Sequence, residues 1–415
     1  EIGALESTAA MRQARKRMVA FFCYVIGNRP PRRYREAALS LAVFSMPTRP
    51  WSSFCDSDLV PGLSHRMSRF LSFSDPEQPR RLAILLVNLG TPDAPDSASV
   101  RRYLAEFLAD PRIVEQPRWL WWLILHGIIL RIRPARSARA YAKVWTSAGS
   151  PLQAGTQELA DRLQDALQAD FGNAVIVRHA MRYGAPDLGE TLAGLARSGM
   201  RRLLVVPLFP QFSATTTASV FDAVTAQFRR WRCPPELRLV SDYCQEPAHV
   251  EALARSVERH WQANGRSERL LLSFHGIPQR YVRNGDPYRQ QCEATAAGLR
   301  ARLHMGADEL LLSFQSRVGR EPWLQPYTDH TLAELPVQGV RSVDVMCPGF
   351  AVDCLETLEE MDMAGREIFL HAGGERFNYI ACLNAGDDQV AAMRELVLRH
   401  CQGWPESGVA AHVRR

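Results

Sequence analysis

His275 and a row of acidic side chains further along are the groups best suited to chemistry in this 415-residue chain. His275 closes the apolar run Leu270–Phe274 and precedes Gly276-Ile277-Pro278, a turn that ends the run. A neutral imidazole takes up a proton near pH 7, which few other side chains do. The competing reading is a core or capping histidine, the commoner role of a single His. The acidic row lies in Gly349–Met363, where the pattern predicts a helix from about Val352. At about 100° per residue, Asp353, Glu356 and Glu360 fall within an arc of about 60°, with Leu355 and Leu358 facing away. Stacked carboxylates raise one another's pKa, and such a stripe can pass protons or hold a divalent cation. Taken alone it also reads as a solvated helix face, with Glu359 on its flank.

The elements that must position these groups repeat one grammar from residue 82 onward: a short apolar run, a turn, then a helical stretch. The runs are Leu82–Leu89, Ala174–Ala180, Leu203–Phe209, Leu237–Ser241, Leu270–Phe274, Leu310–Phe314 and Val343–Cys347. Amphipathic stretches such as Thr156–Phe171, Pro247–Asn264 and Tyr288–Met305 separate them. Strands apolar throughout and alternating with helices predict parallel sheets covered on both faces. The fold class is therefore α/β, with two doubly wound, Rossmann-like domains and a cleft between them. The string LLLSF at 270–274 and again at 310–314 reads as two neighbouring central strands, because no fixed period continues. In such sheets ligands lie beyond the carboxyl ends of the strands. None of those ends contains G-x-G-x-x-G, so a dinucleotide is not supported.

Composition removes other classes. The net charge is +6, but residues 1–81 hold 13 Lys+Arg against 7 Asp+Glu and account for all of it. The neutral remainder lacks the surplus that phosphate neutralisation demands, so nucleic acid is not an expected partner. Only Lys16 and Lys143 exist, and neither follows a glycine, which excludes the phosphate-binding G-x-x-x-x-G-K-[ST] loop. Nine cysteines without a C-x-x-C pair suggest free thiols in a reducing compartment, hence a cytoplasmic location.

Residues 1–81 are Arg-, Ser- and Pro-rich. From Met11 a basic stretch precedes the apolar run Val19–Ile26, but no small-x-small cleavage site follows. They read as a poorly structured extension, or as sequence translated ahead of a start near Met67. The segment Trp119–Ile132 is too short to span a bilayer. Its three tryptophans beside Arg131 and Arg133 suit a membrane surface or the wall of a flat apolar ligand's site, with a buried core helix as the alternative.

Seven segments in order resemble the ferrochelatase family: LVNLGTP at 86–92, GSPL at 149–152, MRYG at 181–184, PLFPQFS at 207–213, FHGIP at 274–278, FQSRVG with WL-x-PYT across 314–328, and PGFAVDCLETLEE at 348–360. The resemblance runs from about residue 82 to about 404. It implies insertion of Fe2+ into protoporphyrin IX, the last step of haem synthesis, by a lyase expected to act as a monomer. Iron would be substrate, and no permanently bound cofactor is expected. The family's catalytic histidine and glutamate map onto His275 and Glu356, also the expected metal-holding pair, and its carboxylate path maps onto Asp353 and Glu360. Porphyrin contacts would include Leu89, Arg182, Tyr183, Gln211, Phe212, Ser213 and Trp323.

The resemblance implies a first domain over 82–234 joined by a helix near 386–402, and a second over 235–385 that carries His275 and Glu356. Some relatives hold a [2Fe–2S] cluster on four grouped cysteines near the C-terminus; here only Cys382 and Cys401 lie there, far apart, so no cluster is expected. Cys354 stands where some relatives carry a second histidine, and Phe212 replaces a common tyrosine. Leu89, tyrosine in relatives that prefer coproporphyrin, favours protoporphyrin. A chelatase for another tetrapyrrole or metal such as cobalt, or a carrier with the same cleft but no base, are the alternative readings.

Overall fold

The computed structural model describes residues 70–73, 79–319 and 321–408. The signal-like stretch and most of the expected 1–81 extension lie outside the described residues; Phe70–Phe73 do not. Leu71 pairs with Trp231, and the Phe73 ring sits 4.8 Å from that of Trp231.

Two four-stranded parallel sheets form the frame, with helices between and around their strands. In chain order the first part runs β1 (Arg81–Gly90), α1 (Ser97–Ala109), α2 (Arg118–Ile124), a wide π turn over Leu125–Ile129, α3 (Leu130–Val144), α4 (Pro151–Phe171), β2 (Val175–Tyr183), α5 (Leu188–Arg197), β3 (Met200–Pro207), a π turn over Ala214–Ala218, α6 (Ser219–Phe228) and β4 (Glu236–Leu239). The second part runs α7 (Pro247–Asn264), β5 (Arg269–His275), α8 (Gln279–Arg283), α9 (Tyr288–Arg302), β6 (Leu310–Gln315), α10 (Thr328–Val337), β7 (Ser342–Met346), a π-helix over Glu356–Gly365, α11 (Arg366–His371), β8 (Arg376–Ile380) and α12 (Asp387–His400). The strand orders are β2-β1-β3-β4 and β6-β5-β7-β8.

Period-two alternation splits β1 between two cores. Leu82, Ile84 and Leu86 pack with Leu159 and Leu163 of α4 and with Met393 and Val397 of α12, while Ala83, Leu85 and Val87 face Leu192 and Leu195 of α5. The C-terminal helix thus returns to the first sheet, with its Arg394 on Asp170 of α4 at 2.6 Å. Its Ala392 also joins the core around β5.

The twin LLLSF strands are neighbours in register, Leu270 beside Leu310 and Phe274 beside Phe314. One of them departs from expectation, since β6 is an edge strand and β5 alone of the two is interior. Ser273 and Ser313 meet on the Thr328 hydroxyl, each at 2.9 Å. The sequence pattern missed β8, a half-polar edge strand whose Asn378 reaches Asp344 at 2.9 Å.

Candidate active site

His275, on the interior strand β5, stands at the carboxyl end of its sheet. The next residue must be glycine: a Cβ on Gly276 would lie 2.8 Å from the Gln315 carbonyl oxygen, which already accepts the Gly276 N–H at 2.8 Å. The imidazole Nδ1 sits 2.7 Å from the Gly276 carbonyl oxygen. A carbonyl only accepts, so Nδ1 carries the hydrogen, and in the neutral ring Nε2 holds the lone pair. The ring is half-buried, with the Trp323 ring 6.5 Å away.

The acidic segment arrives on the neighbouring strand β7 and differs from the expected α-helix. Helical winding begins at Leu355 rather than Val352, and Glu356–Gly365 is wound as a π-helix. Asp353 therefore leaves the stripe. It is buried ahead of the helix, and its carboxylate accepts from the Thr357 hydroxyl at 2.9 Å, the Tyr379 hydroxyl at 2.6 Å and the Asn384 amide at 2.8 Å. With both oxygens engaged, Asp353 anchors the helix start; lying ahead of the winding, it is not part of a helical stripe with Glu356 and Glu360, which corrects the expected three-member row.

Glu356 and Glu360 do share a face. Gln315, the register partner of His275, donates its amide to the Glu356 carbonyl at 2.8 Å and to the Glu360 carboxylate at 3.4 Å. Ser316 donates its hydroxyl to the same Glu360 oxygen. Ser316 holds φ of 64°, in the left-handed region a serine rarely occupies, and such backbone concentrates at functional sites. Burial pushes the Glu360 pKa up and the Glu356 charge adds to this, against Ser316 and His275, which pull it down. A carboxyl so placed holds a proton closer to neutral pH than an ordinary glutamate does.

On its other side Glu356 faces the first sheet's helices. Burial foremost pushes the Tyr103 hydroxyl of α1 and the Tyr141 hydroxyl of α3 well above their usual range; the Glu356 charge comes next for Tyr141, and follows the Tyr141 hydroxyl for Tyr103. The buried Cys354 thiol is pushed up by burial and by Glu356, so it stays protonated and is a poor metal ligand. Glu359 points out to Lys143 at 2.8 Å, an exposed pair that solvent screens. Among the described residues no three His, Cys, Asp or Glu side chains are grouped to hold a metal ion.

The expected porphyrin contacts divide. Leu89, Phe212 and Trp323 are half-buried, and Leu89 packs against the buried cluster that includes Val100, Tyr103 and Tyr183. Arg182 and Tyr183 are instead tied into a polar knot: Arg182 reaches Asp110 at 2.6 Å and Ser219 at 2.7 Å, and the Tyr183 hydroxyl donates to Asp110 at 2.8 Å. Burial alone would raise the Asp110 pKa, but hydrogen bonds from Ser219, Arg112 and Tyr183, with the Arg182 charge, hold it below the usual range. Removing one partner of such a pair costs about 3–5 kcal/mol, so Arg182 substitutions read stability before binding. Gln211 and Ser213 are fully buried, on Thr295 at 2.9 Å and Asp286 at 2.9 Å, and join the segment after β3 to the α8–α9 region.

Sequence reasoning did not assign Gln315, Ser316, Tyr103 or Tyr141. The first two sit on a strand end already under suspicion; nothing in the spacing of the tyrosines signals that α1 and α3 fold against a helix some two hundred residues on. Trp119–Ile132 is not a buried core helix. Trp121 turns inward, donating its indole N–H to the Leu108 carbonyl at 2.6 Å, while Trp119 (71% exposed), Trp122 (60%) and Ile132 (68%) face solvent. Cys382 and Cys401 are buried in separate apolar clusters.

The sequence model of the ferrochelatase family matches residues 81–401. The ferrochelatase of Marinobacter nauticus is 52% identical over 327 residues, 79% of this chain and 88% of the relative. That of Methylibium petroleiphilum is 54% identical over 325 residues, covering 78% and 89%. Among solved structures, SirB from Bacillus subtilis with Fe3+ aligns with a TM-score of 0.47 at 11% identity, over 78% of this chain and 96% of its own. With the family's sequence pattern matched from β1 to the last residue of the C-terminal helical turn, and half the residues shared with its members, the chain belongs to the ferrochelatase family.

Proposed function

We propose that this family member inserts Fe2+ into protoporphyrin IX to give protohaem, with His275 as the base that takes the pyrrole protons. A flat porphyrin holds its nitrogen lone pairs in the ring plane and carries two N–H protons in the hole. Insertion replaces both with one Fe2+ and releases two protons, so the reaction needs a base on one face and a cleft that bends the ring. The observation that carries the reading is the imidazole's tautomer: with Nδ1–H fixed on Gly276, Nε2 is free to accept. Glu356 stabilises the imidazolium that forms, and Glu360, with its raised pKa, relays the proton along the π-helix. Half-buried Leu89, Phe212 and Trp323 supply the apolar contact. Arg182, Tyr183, Gln211 and Ser213 shape that wall from behind, through the hydrogen bonds given above. Iron enters as substrate, held in passage by His275 and Glu356. Haem formation from Fe2+ and protoporphyrin, measured anaerobically, tests the reading; a carrier would bind the porphyrin and form none.

An imidazole and a carboxylate are borderline ligands that select weakly among late divalent metals. Zn2+ and Co2+ are therefore expected to be inserted as well, which porphyrin fluorescence and absorbance report. Inertness toward Zn2+ where Fe2+ reacts would remove the pair as the metal-holding groups.

No helix among the described residues is long and apolar enough to cross a membrane. The exposed face of α2, the π turn and the start of α3 supports docking on a bilayer surface from the cytoplasmic side, its rings and aliphatic chains flanked by exposed Arg131 and Arg133. Flotation with anionic vesicles is expected to capture the protein. Replacing Trp122 and Ile132 together by glutamate is expected to weaken this at least about tenfold, more than 1.4 kcal/mol. Equal flotation of both proteins would dismiss the docking face.

A further inference from the structure

Between β7 and the winding that carries Glu356, residues 351–354 form no helix or strand, so their backbone groups need partners from elsewhere. Although they follow a strand of the second sheet, Ala351, Val352 and Cys354 pack in the core of the first, with Leu159 and Leu163 of α4. A Cβ on Gly155 of α4 would lie 2.6 Å from the Val352 Cγ1, so a larger residue there would press on the segment. A second hold comes from Asn384, in the stretch that joins β8 to α12. Its Oδ1 accepts the Asp353 backbone N–H at 2.8 Å, and its Nδ2 donates to the Asp353 carboxylate at 2.8 Å and to the Cys382 carbonyl at 3.0 Å. Its own backbone N–H donates to the Ala351 carbonyl at 3.0 Å. Chemistry fixes which end of the amide is which, because a carboxylate and a carbonyl only accept and a backbone N–H only donates. Asn384 also holds φ of 50°, in the left-handed region that Asn tolerates better than most residues with a side chain. Glycine would fit that backbone and lose the amide; aspartate would keep the outline and lose the donor. Asparagine meets both demands.

We propose that Asn384 is a positioning residue for Glu356. It fixes the 351–353 segment against the stretch before α12, and Asp353 passes the hold onward. The Asp353 carboxylate accepts from the Thr357 hydroxyl at 2.9 Å, and the oxygen of that hydroxyl accepts the Cys354 N–H at 2.9 Å. The turn that contains Glu356 is thereby tied on both sides of the residue, and Asn384 sets where it stands. The proposal rests on the catalytic reading of Glu356 given above. Asn384 acts through Asp353 and Thr357 and not on a reacting atom, so its loss falls on the rate. Porphyrin affinity is spared, because the proposed ring contacts Leu89, Phe212 and Trp323 come from other segments.

Two variants of the full chain test this. Asn384→Gly suits the left-handed backbone and removes the amide, so the fold is favoured while the hold is lost. Asn384→Asp keeps the outline and sets a second carboxylate beside that of Asp353. Hydrogen–deuterium exchange read by mass spectrometry reports the segment, and anaerobic haem formation reports the rate. Peptides covering 351–357 are expected to exchange at least about tenfold faster in both variants, with the two sheets unchanged. Turnover is expected to fall at least about tenfold, with KM for porphyrin held within about twofold. Unchanged exchange overturns the hold, and a rise in KM that matches the loss of turnover overturns the positioning role. Faster exchange with full turnover overturns the link to Glu356. Glu356→Gln, measured alongside, separates that failure from failure of the catalytic reading: full activity there removes the reading itself, whereas a loss there alone removes only the role of Asn384. If Asn384→Asp does not fold, Asn384→Gly decides the matter.

Discussion

His275→Ala is expected to lower the rate of metal insertion by about 10²–10⁴-fold, the usual contribution of a positioned base, while porphyrin still binds. The two effects separate because the groups that would contact the ring, among them Leu89, Phe212 and Trp323, come from other segments. The side chain is half-buried at the end of its strand, and its one hydrogen bond goes to the carbonyl of the next residue, so its loss leaves no distant group unpaired. The variant should therefore fold. Anaerobic haem formation gives the rate, and porphyrin fluorescence quenching gives the affinity. Insertion within tenfold of the unaltered protein would mean that another group takes the pyrrole protons. Equal loss of binding and rate would mean that His275 is part of the floor rather than the base.

Glu356→Gln is expected to be the second-largest single effect, lowering turnover by about 10²-fold with little change in shape. The carboxylate faces buried Tyr103, Tyr141 and Cys354, a setting of low polarity in which a charge is strongly felt. Its removal takes away the charge proposed to stabilise protonated His275. It also removes the like-charge repulsion that helps to raise the Glu360 pKa, so that pKa falls while burial keeps it above the ordinary value. The sign follows directly: Glu360 ionises at lower pH in the variant, and any limb of the pH–rate profile that reports it moves toward acid. A rate loss accompanied by that shift marks two coupled carboxyls on one proton path. Full activity in Glu356→Gln would take the residue out of the mechanism altogether.

Much of this arrangement is legible in the chain itself. Strands apolar at every position predict two-sided burial, and all seven predicted strands are present within a few residues at each end. The end of β5 then marks His275 by the general rule for such sheets. The failures have physical causes. A half-polar edge strand such as Arg376–Ile380 carries no continuous apolar signal. Periodicity at 100° per residue presumes an α-helix, and the π winding of Glu356–Gly365 with its delayed start moves Asp353 off the face that Glu356 and Glu360 share. Gln211 and Ser213 are polar residues at a strand end, where ligand contact and structural hydrogen bonding look alike in one dimension. Here Thr295 and Asp286, from another part of the chain, take up their hydrogen bonds.

Glu356–Gly365 spends more residues per turn than an α-helix of the same span, with each N–H reaching one carbonyl further back. Shortening the loose end by a single amino acid, between Met361 and Gly365, would let the coil tighten into the commoner form. The trimmed protein is expected to tolerate the change in its melting behaviour far better than in its turnover, because Glu360 would swing out of reach of Ser316. Length, as much as residue identity, is thus expected to matter at this bend, with the one-residue deletion losing the chemistry while keeping the frame.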